Sequence, residues 1–154
     1  QLNIFKDFLE NFWEYDFIVI DTEGTVNNTV RGILIATDYV FAPSKVSFID
    51  TNGLRDLLEM MEIAKVDNPK IKLYKIFFVQ VKENTKVFKK AHLEMKEILK
   101  EMYSDIYVRE DANILNSMEK HKDIFSFKKS SNAAIDYKNL VNEFLYNEVY
   151  INKG

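Results

Sequence analysis

The sequence predicts an α/β fold, a mostly parallel sheet flanked by helices, and three observations carry that expectation. Five apolar residues, Tyr15, Phe17, Ile18, Val19 and Ile20, surround one acid and stop at Asp21-Thr22-Glu23-Gly24. A run bounded this way reads as a buried strand with a polar loop at its carboxyl end. A further stretch, residues 71–81, is almost wholly apolar from Ile76 to Val79, which suits a parallel strand covered on both faces. Between such runs, apolar residues recur at helical spacing. Strands alternating with helices predict βαβ units with right-handed crossovers.

Each element has its own justification. Leu2, Phe5, Leu9 and Phe12 recur at helical spacing with Lys6, Asp7, Glu10 and Glu14 between them, an amphipathic helix leading into the first strand. A helix follows the loop around Val30 to Ala36, and Tyr39 to Pro43 is the second strand. Residues 50–65 place Leu54, Leu57, Leu58, Met61 and Ala64 on one helical face, with Asp50 or Thr51 as the cap, and Asn68-Pro69 ends the connection. After the third strand, residues 85–103 form a long helix with Val87, Phe88, Ala91, Met95, Ile98, Leu99 and Met102 inward. Ile106 to Val108 is a short fourth strand, residues 113–119 a helical turn, and residues 133–149 the last helix. No repeat, low-complexity segment or long linker interrupts the 154 residues, and the length predicts a single domain over 1–154.

Composition narrows the function. With 47% hydrophobic and 14% aromatic residues the chain has ample material for a core. A net charge of −3 is no general nucleic-acid signature, so any such contact rests on local patches. The absence of cysteine removes disulfides, thiol catalysis and cysteine-held clusters or zinc. Two histidines, His92 and His121, make no histidine-rich metal site. No apolar run approaches the length of a membrane span, and the first residues lack the basic region of a signal peptide, so a cytoplasmic location is the expectation.

The loop after the first strand is the candidate centre, because open α/β sheets bind ligands beyond the carboxyl ends of their strands. An aspartate there, here Asp21, can hold Mg²⁺ through water, and a glycine, here Gly24, lets a backbone N–H approach a phosphate. The alternative is an ordinary core strand whose Asp21 caps the next helix.

The run Tyr15-Asp16-Phe17-Ile18-Val19-Ile20-Asp21 resembles the second nucleotide motif of the ParA/MinD family of P-loop ATPases. The resemblance continues through Ala36-Thr37-Asp38-Tyr39-Val40-Phe41-Ala42-Pro43, through Gly53-Leu54 with Leu57-Leu58, along residues 108–125 with Ser117 at the usual alanine, and into Ser130-Ser131-Asn132-Ala133-Ala134 and residues 137–144. Gly24-Thr25-Val26-Asn27-Asn28 resembles, more weakly, ParA-like proteins of mobile elements. None of the four glycines (Gly24, Gly32, Gly53, Gly154) stands in a G-x-x-x-x-G-K-[ST] setting, Thr22-Glu23 replaces the common Thr-Pro-Pro, and Arg109 replaces the proline after the late strand. The resemblance therefore implies the carboxyl-terminal part of a ParA-like ATPase, with the amino-terminal strand and P-loop missing. The lack of cysteine speaks against the family's electron-transfer and iron–sulfur branches.

What the resemblance implies for the site follows residue by residue. Asp21 is the catalytic switch residue and the indirect Mg²⁺ ligand. Gly24 offers an amide to the γ-phosphate. Gln80, Lys82, Arg109 and Asp111 border the base of ATP, or else are surface loop residues. Glu23 orients water or is a solvated loop acid. Lys120, Lys122, Lys128 and Lys129, with His121 among them, contact DNA without base readout, or form a solvated lysine face. The implied partners are a second copy in a homodimer, nonspecific DNA and a centromere-binding protein, on the nucleoid. Membrane targeting of the MinD kind is not expected, because residues 140–149 carry acids and no lysine or arginine. Two other readings stay open: a catalytically inactive, P-loop-less relative that works as a binding or regulatory module, and a metabolic ligase.

Overall fold

The computed structural model of the protein describes residues 4–23, 27–48 and 51–150. The chain forms two compact units, one of residues 1–41 and 50–74 and the other of residues 42–49 and 75–154. The architecture is α/β: β1 (Tyr39–Lys45) and β2 (Lys72–Val79) pair as a small parallel sheet flanked by helices, consistent with the P-loop NTPase-like class.

In the first unit, α1 (Ile4–Leu9) continues as a 3-10 turn, Glu10–Phe12. Its aromatic face runs Phe5, Phe8, Phe12, Tyr15, with ring centroids 6.3, 5.1 and 6.3 Å apart. α2 (Asn28–Ile35) starts at Asn27, whose side chain accepts from the Val30 N–H at 2.9 Å and so satisfies one orphan donor of the first turn. α3 (Thr51–Asp67) buries Met61 and Ala64 against Val30, Leu34 and Ile71, as the periodicity predicts. The cap proposed at Asp50 lies outside the described residues. Asn68 closes this unit, donating to the Leu34 and Thr37 carbonyls at 3.1 and 2.7 Å, which satisfies acceptors at the end of α2.

The first strand is a correction. Residues 17–23 join no ladder; Phe17 is 56% exposed and Val19 94%. Apolar content drives burial, but a strand also needs a neighbour for its N–H and C=O groups, and no described strand pairs with this run. Its side chains instead line a groove of about 330 Å³ with the aromatic face of α1, through Tyr15, Phe17, Ile18 and Ile20.

In the second unit, α4 (Lys86–Leu99) is capped by Thr85, whose Oγ1 accepts from the Phe88 N–H at 3.3 Å and donates to the Lys82 carbonyl at 2.8 Å. It ends in a 3-10 turn, Lys100–Met102. Phe88, Ala91, Met95 and Leu99 are buried, but Val87, Ile98 and Met102 are exposed, against expectation. The helix is covered on one side only, so the inward stripe is one residue wide and its flanks meet water. The expected fourth strand, residues 106–108, is no ladder strand. Residues 103–110 lie along β2 through two isolated parallel bridges, Ile76 with Tyr103 and Val81 with Arg109. α5 (Asn113–Glu119) occupies the predicted turn, α6 (Ile124–Lys128) was not predicted, and α7 (Asn132–Phe144) passes into a π-helical turn, Leu145–Tyr150. The core here is Phe77, Val108, Ala133 and Leu140, with Val79, Ile106, Ile114, Ile124 and Tyr137 packed against it.

Candidate functional site

β2 ends at Val79 and the chain turns through Gln80, whose backbone lies at φ 54. A left-handed backbone costs a non-glycine residue roughly 1–2 kcal/mol. The turn sets up the pairing that follows: the Val81 N–H donates to the Val108 carbonyl at 3.0 Å, and the Glu110 N–H donates to the Val81 carbonyl at 2.9 Å. Gln80 and Lys82 thereby come beside Arg109 and Asp111 at the carboxyl end of β2. The Lys82 ammonium lies 3.4 Å from the Glu110 carboxylate, an exposed pair worth about 0–1 kcal/mol.

Arg109 and Asp111 are held from below by α7. Asp136 Oδ2 accepts from the Arg109 backbone N–H at 3.0 Å and from Nε at 2.8 Å, while Oδ1 accepts from Nη2 at 2.7 Å. This is a bidentate, charge-assisted pair with a third bond to the main chain. The hydrogen bonds that the guanidinium donates to Asp136 make it hold its proton more firmly than usual. Asp111 Oδ1 accepts from the Asn113 N–H and side-chain amide at 2.9 and 2.5 Å, and Oδ2 accepts from the Ala133 N–H at 3.1 Å. Ser131 adds a second cap to α7, its Oγ accepting from the Ala134 N–H at 3.2 Å.

Burial pushes the Asp111 carboxyl up, but donors on Asn113, Ala133 and Asn132 outweigh it, so the carboxyl sits below the usual carboxylate range. A folded value below the unfolded one contributes stability that is present above the unfolded pKa, about 3.9, and is lost as pH falls through the folded one. The expected result is that Asp111→Asn flattens the acid limb of a thermal-melt series run from pH 6 down to about pH 2.5. It does not abolish that limb, because the Ser126 hydroxyl and amide hold the exposed Asp123 carboxyl low in the same way. A limb as steep as that of the parent would show that Asp111 is not a linked group.

Asp21 and Glu23 are exposed and belong to the first unit. Gly24 lies outside the described residues. Lys120, Lys122, Lys128 and Lys129 are exposed around the ends of α5 and α6, which pack together, and no ion pair among the described residues involves any of them. Elsewhere in this unit lysines are engaged: Lys90 with Glu94, and Lys96 with Asp105. His121 sits at φ 50 between Lys120 and Lys122.

Asp136 went unnoticed in the sequence, although a signal was there. It falls on the stripe Ala133, Asp136, Tyr137, Leu140 at spacings of three, four and seven, where an acid is out of place unless a cation meets it. Here it is 7% exposed. Beside α4's buried stripe, the His92 Nδ1 lies 2.7 Å from the Tyr103 hydroxyl.

ATP and Mg²⁺ are the groups that the resemblance implies. At 80–82 and 109–111 the Lys82, Arg109 and Asp111 side chains are engaged by Glu110, by Asp136, and by Asn113 and Ala133, so a base there would be met by main-chain edges. Asp21 is exposed, and among the described residues no group of three or more acids or histidines stands together to hold a metal ion. Among the described residues, no helix is long and apolar enough to cross a membrane.

Comparison with known proteins adds a family-level finding. A family model described as an AAA domain matches residues 1–73, the part that holds the Tyr15 run, β1 and α3. The match supports a P-loop ATPase-like family, whose members generally use ATP and Mg²⁺. The chain is also similar to the uncharacterized protein MJECL24 of Methanocaldococcus jannaschii, 25% identical over 144 residues, which cover 90% of this chain and 53% of that relative. The chain thus spans about half the length of the curated relative it matches.

Proposed function

We propose that this chain is part of a ParA-type ATPase that partitions plasmid or chromosomal DNA. The AAA-domain match over residues 1–73 carries the reading, because it covers the segment ending in Asp21. In this reading Asp21 holds Mg²⁺ through water and acts as the switch residue, and Gly24 meets the γ-phosphate. Gln80, Lys82, Arg109 and Asp111 border the base. ATP drives dimerisation with a second copy. The dimer then coats DNA through Lys120, Lys122, Lys128 and Lys129, and a centromere-binding protein triggers hydrolysis and release on the nucleoid. Phosphoryl transfer depends on positioning and charge stabilisation, so this chain alone hydrolyses no ATP without a phosphate-cradling loop and its lysine. Coupling of ATP to DNA is then a population shift toward the dimer.

The exposed lysines around the ends of α5 and α6 favour the DNA step, since phosphate contacts need exposed, unpaired cations. In the full-length protein, Mg-ATP is expected to promote retention of random-sequence DNA. Replacing the four lysines with alanine should lower the slope of log affinity against log salt by about 3–4. Binding that ignores ATP, or a slope unchanged by the four replacements, removes the DNA role. A second reading, a catalytically inactive binding module, is favoured by the glycine pattern, in which no glycine stands in a phosphate-loop setting. Mg-ATP binding by the full-length protein with no hydrolysis in the presence of DNA and partner would select it.

A further inference from the structure

The loop at residues 109–111 is fastened to α7 at both of its ends. At one end a single carboxylate, Asp136, takes three hydrogen bonds from Arg109: one from the main-chain N–H and two from the guanidinium. At the other end Asp111 takes the Ala133 N–H and the Asn113 N–H. The Asp136 side chain is 9% exposed and that of Arg109 27%, so little water competes for these bonds. Where the resembling family places a proline, which fixes its own φ and brings no N–H, this chain has a residue with a free φ and a donor that needs an acceptor. Asp136 supplies both the acceptor and the restraint. It also occupies the guanidinium on the edge that would serve a phosphate or a base.

We propose that Asp136 is the positioning residue of the base-side loop: by gripping Arg109 through its backbone N–H and its guanidinium, it presents the main chain of residues 109–111, not the Arg109 side chain, to the nucleotide base. The inference rests on the nucleotide-binding reading above. It recasts Arg109 as a residue that shapes the loop from behind. Base preference then comes from the main-chain groups that these bonds leave open, the Arg109 and Glu110 carbonyls and the Asp111 N–H, since the Arg109 and Glu110 N–H groups and the Asp111 carbonyl are taken by Asp136, Val81 and Ile114; it is sensitive to a residue on α7 that never touches the ligand.

The test is equilibrium binding of Mg-ATP and Mg-GTP to the full-length protein, wild type first. The variants are Asp136→Asn, Arg109→Met and the double variant Arg109→Met/Asp136→Leu, with amide exchange of residues 109–111 and thermal melts read alongside. The double variant removes both charges together, so it stays folded if a single change does not. The expected result is a preference between the two nucleotides in the wild type. In Asp136→Asn and in the double variant that preference falls by about tenfold or more, exchange at 109–111 speeds up, and the double variant melts close to wild type. A double variant with faster exchange but wild-type preference overturns the proposal, because the pair is then only structural. Loss of ATP affinity in Arg109→Met with none in Asp136→Asn also overturns it, since the guanidinium would then touch the nucleotide. A wild type that binds neither nucleotide sinks the nucleotide reading itself, before any variant is compared.

Discussion

Phe78→Ala is expected to lower the unfolding free energy by about 3–5 kcal/mol. Phe78 is 0% exposed and meets the rings of Phe88 and Tyr103 edge-on, with centroids 6.1 and 5.5 Å away. Truncation removes the transfer free energy of the ring and leaves a cavity between β2, α4 and the segment at 103. That cavity cannot collapse easily, because the Phe78 carbonyl is tied to the Val108 N–H at 2.8 Å. Tyr103 is also buried, which pushes its hydroxyl pKa up and keeps the phenol neutral in the packed state. Urea denaturation of the parent, Phe78→Leu and Phe78→Ala reads the effect. Phe78→Leu is expected between the other two, since it fills part of the space. A loss under about 1 kcal/mol for Phe78→Ala would mean that the packing around β2 is not what holds this unit.

Asp136→Ala is expected to cost about 3 kcal/mol, for a different reason. Removing one partner of a largely buried pair strands the Arg109 guanidinium and an unaccepted backbone N–H in a poorly hydrated place. Arg109→Met/Asp136→Leu removes the stranded charge as well, and is expected within about 1 kcal/mol of the parent. The contrast separates the two sources of cost. If the single and double variants lose equal stability, the pair contributes through packing of its side-chain stems and not through charge. Measuring the urea midpoints of Asp136→Ala, Arg109→Met and the double variant closes the cycle.

The helices were readable from the sequence because their signals are local. Thr85 before the Phe88, Ala91, Met95, Leu99 series, and Asn27 before Val30, carry cap and stripe within one or two turns, and both helices begin where those residues stand. The Gln80 to Lys82 and Arg109 to Asp111 pieces are joined in the sequence only through the family resemblance; in the structure one parallel bridge brings them together. That bridge joins residues 28 positions apart, and no local pattern encodes such a pairing. Asp136 shows the converse case. Its misfit on an apolar stripe was visible, but its partner lies 27 residues away on another element.

What the sequence determined by itself is the α/β class, the positions of α2, α3, α4 and α7, and the central buried stripes of α3 and α4, since each follows from residue chemistry repeated at the period of one helix; the flanks of the α4 stripe, Val87, Ile98 and Met102, it placed wrongly. It also ruled out cysteine and histidine-rich metal chemistry by composition alone. Tertiary structure decided the rest. The apolar run at 17–20 looks like a buried strand, yet it stays exposed, because burial of a strand depends on a neighbour to take its backbone hydrogen bonds. Lys82 and Lys96 spend their charge on nearby acids, while Lys120, Lys122, Lys128 and Lys129 keep theirs for solvent. A lysine reads the same in sequence whether or not an acid stands within reach, and only the packing of the chain sets that distance.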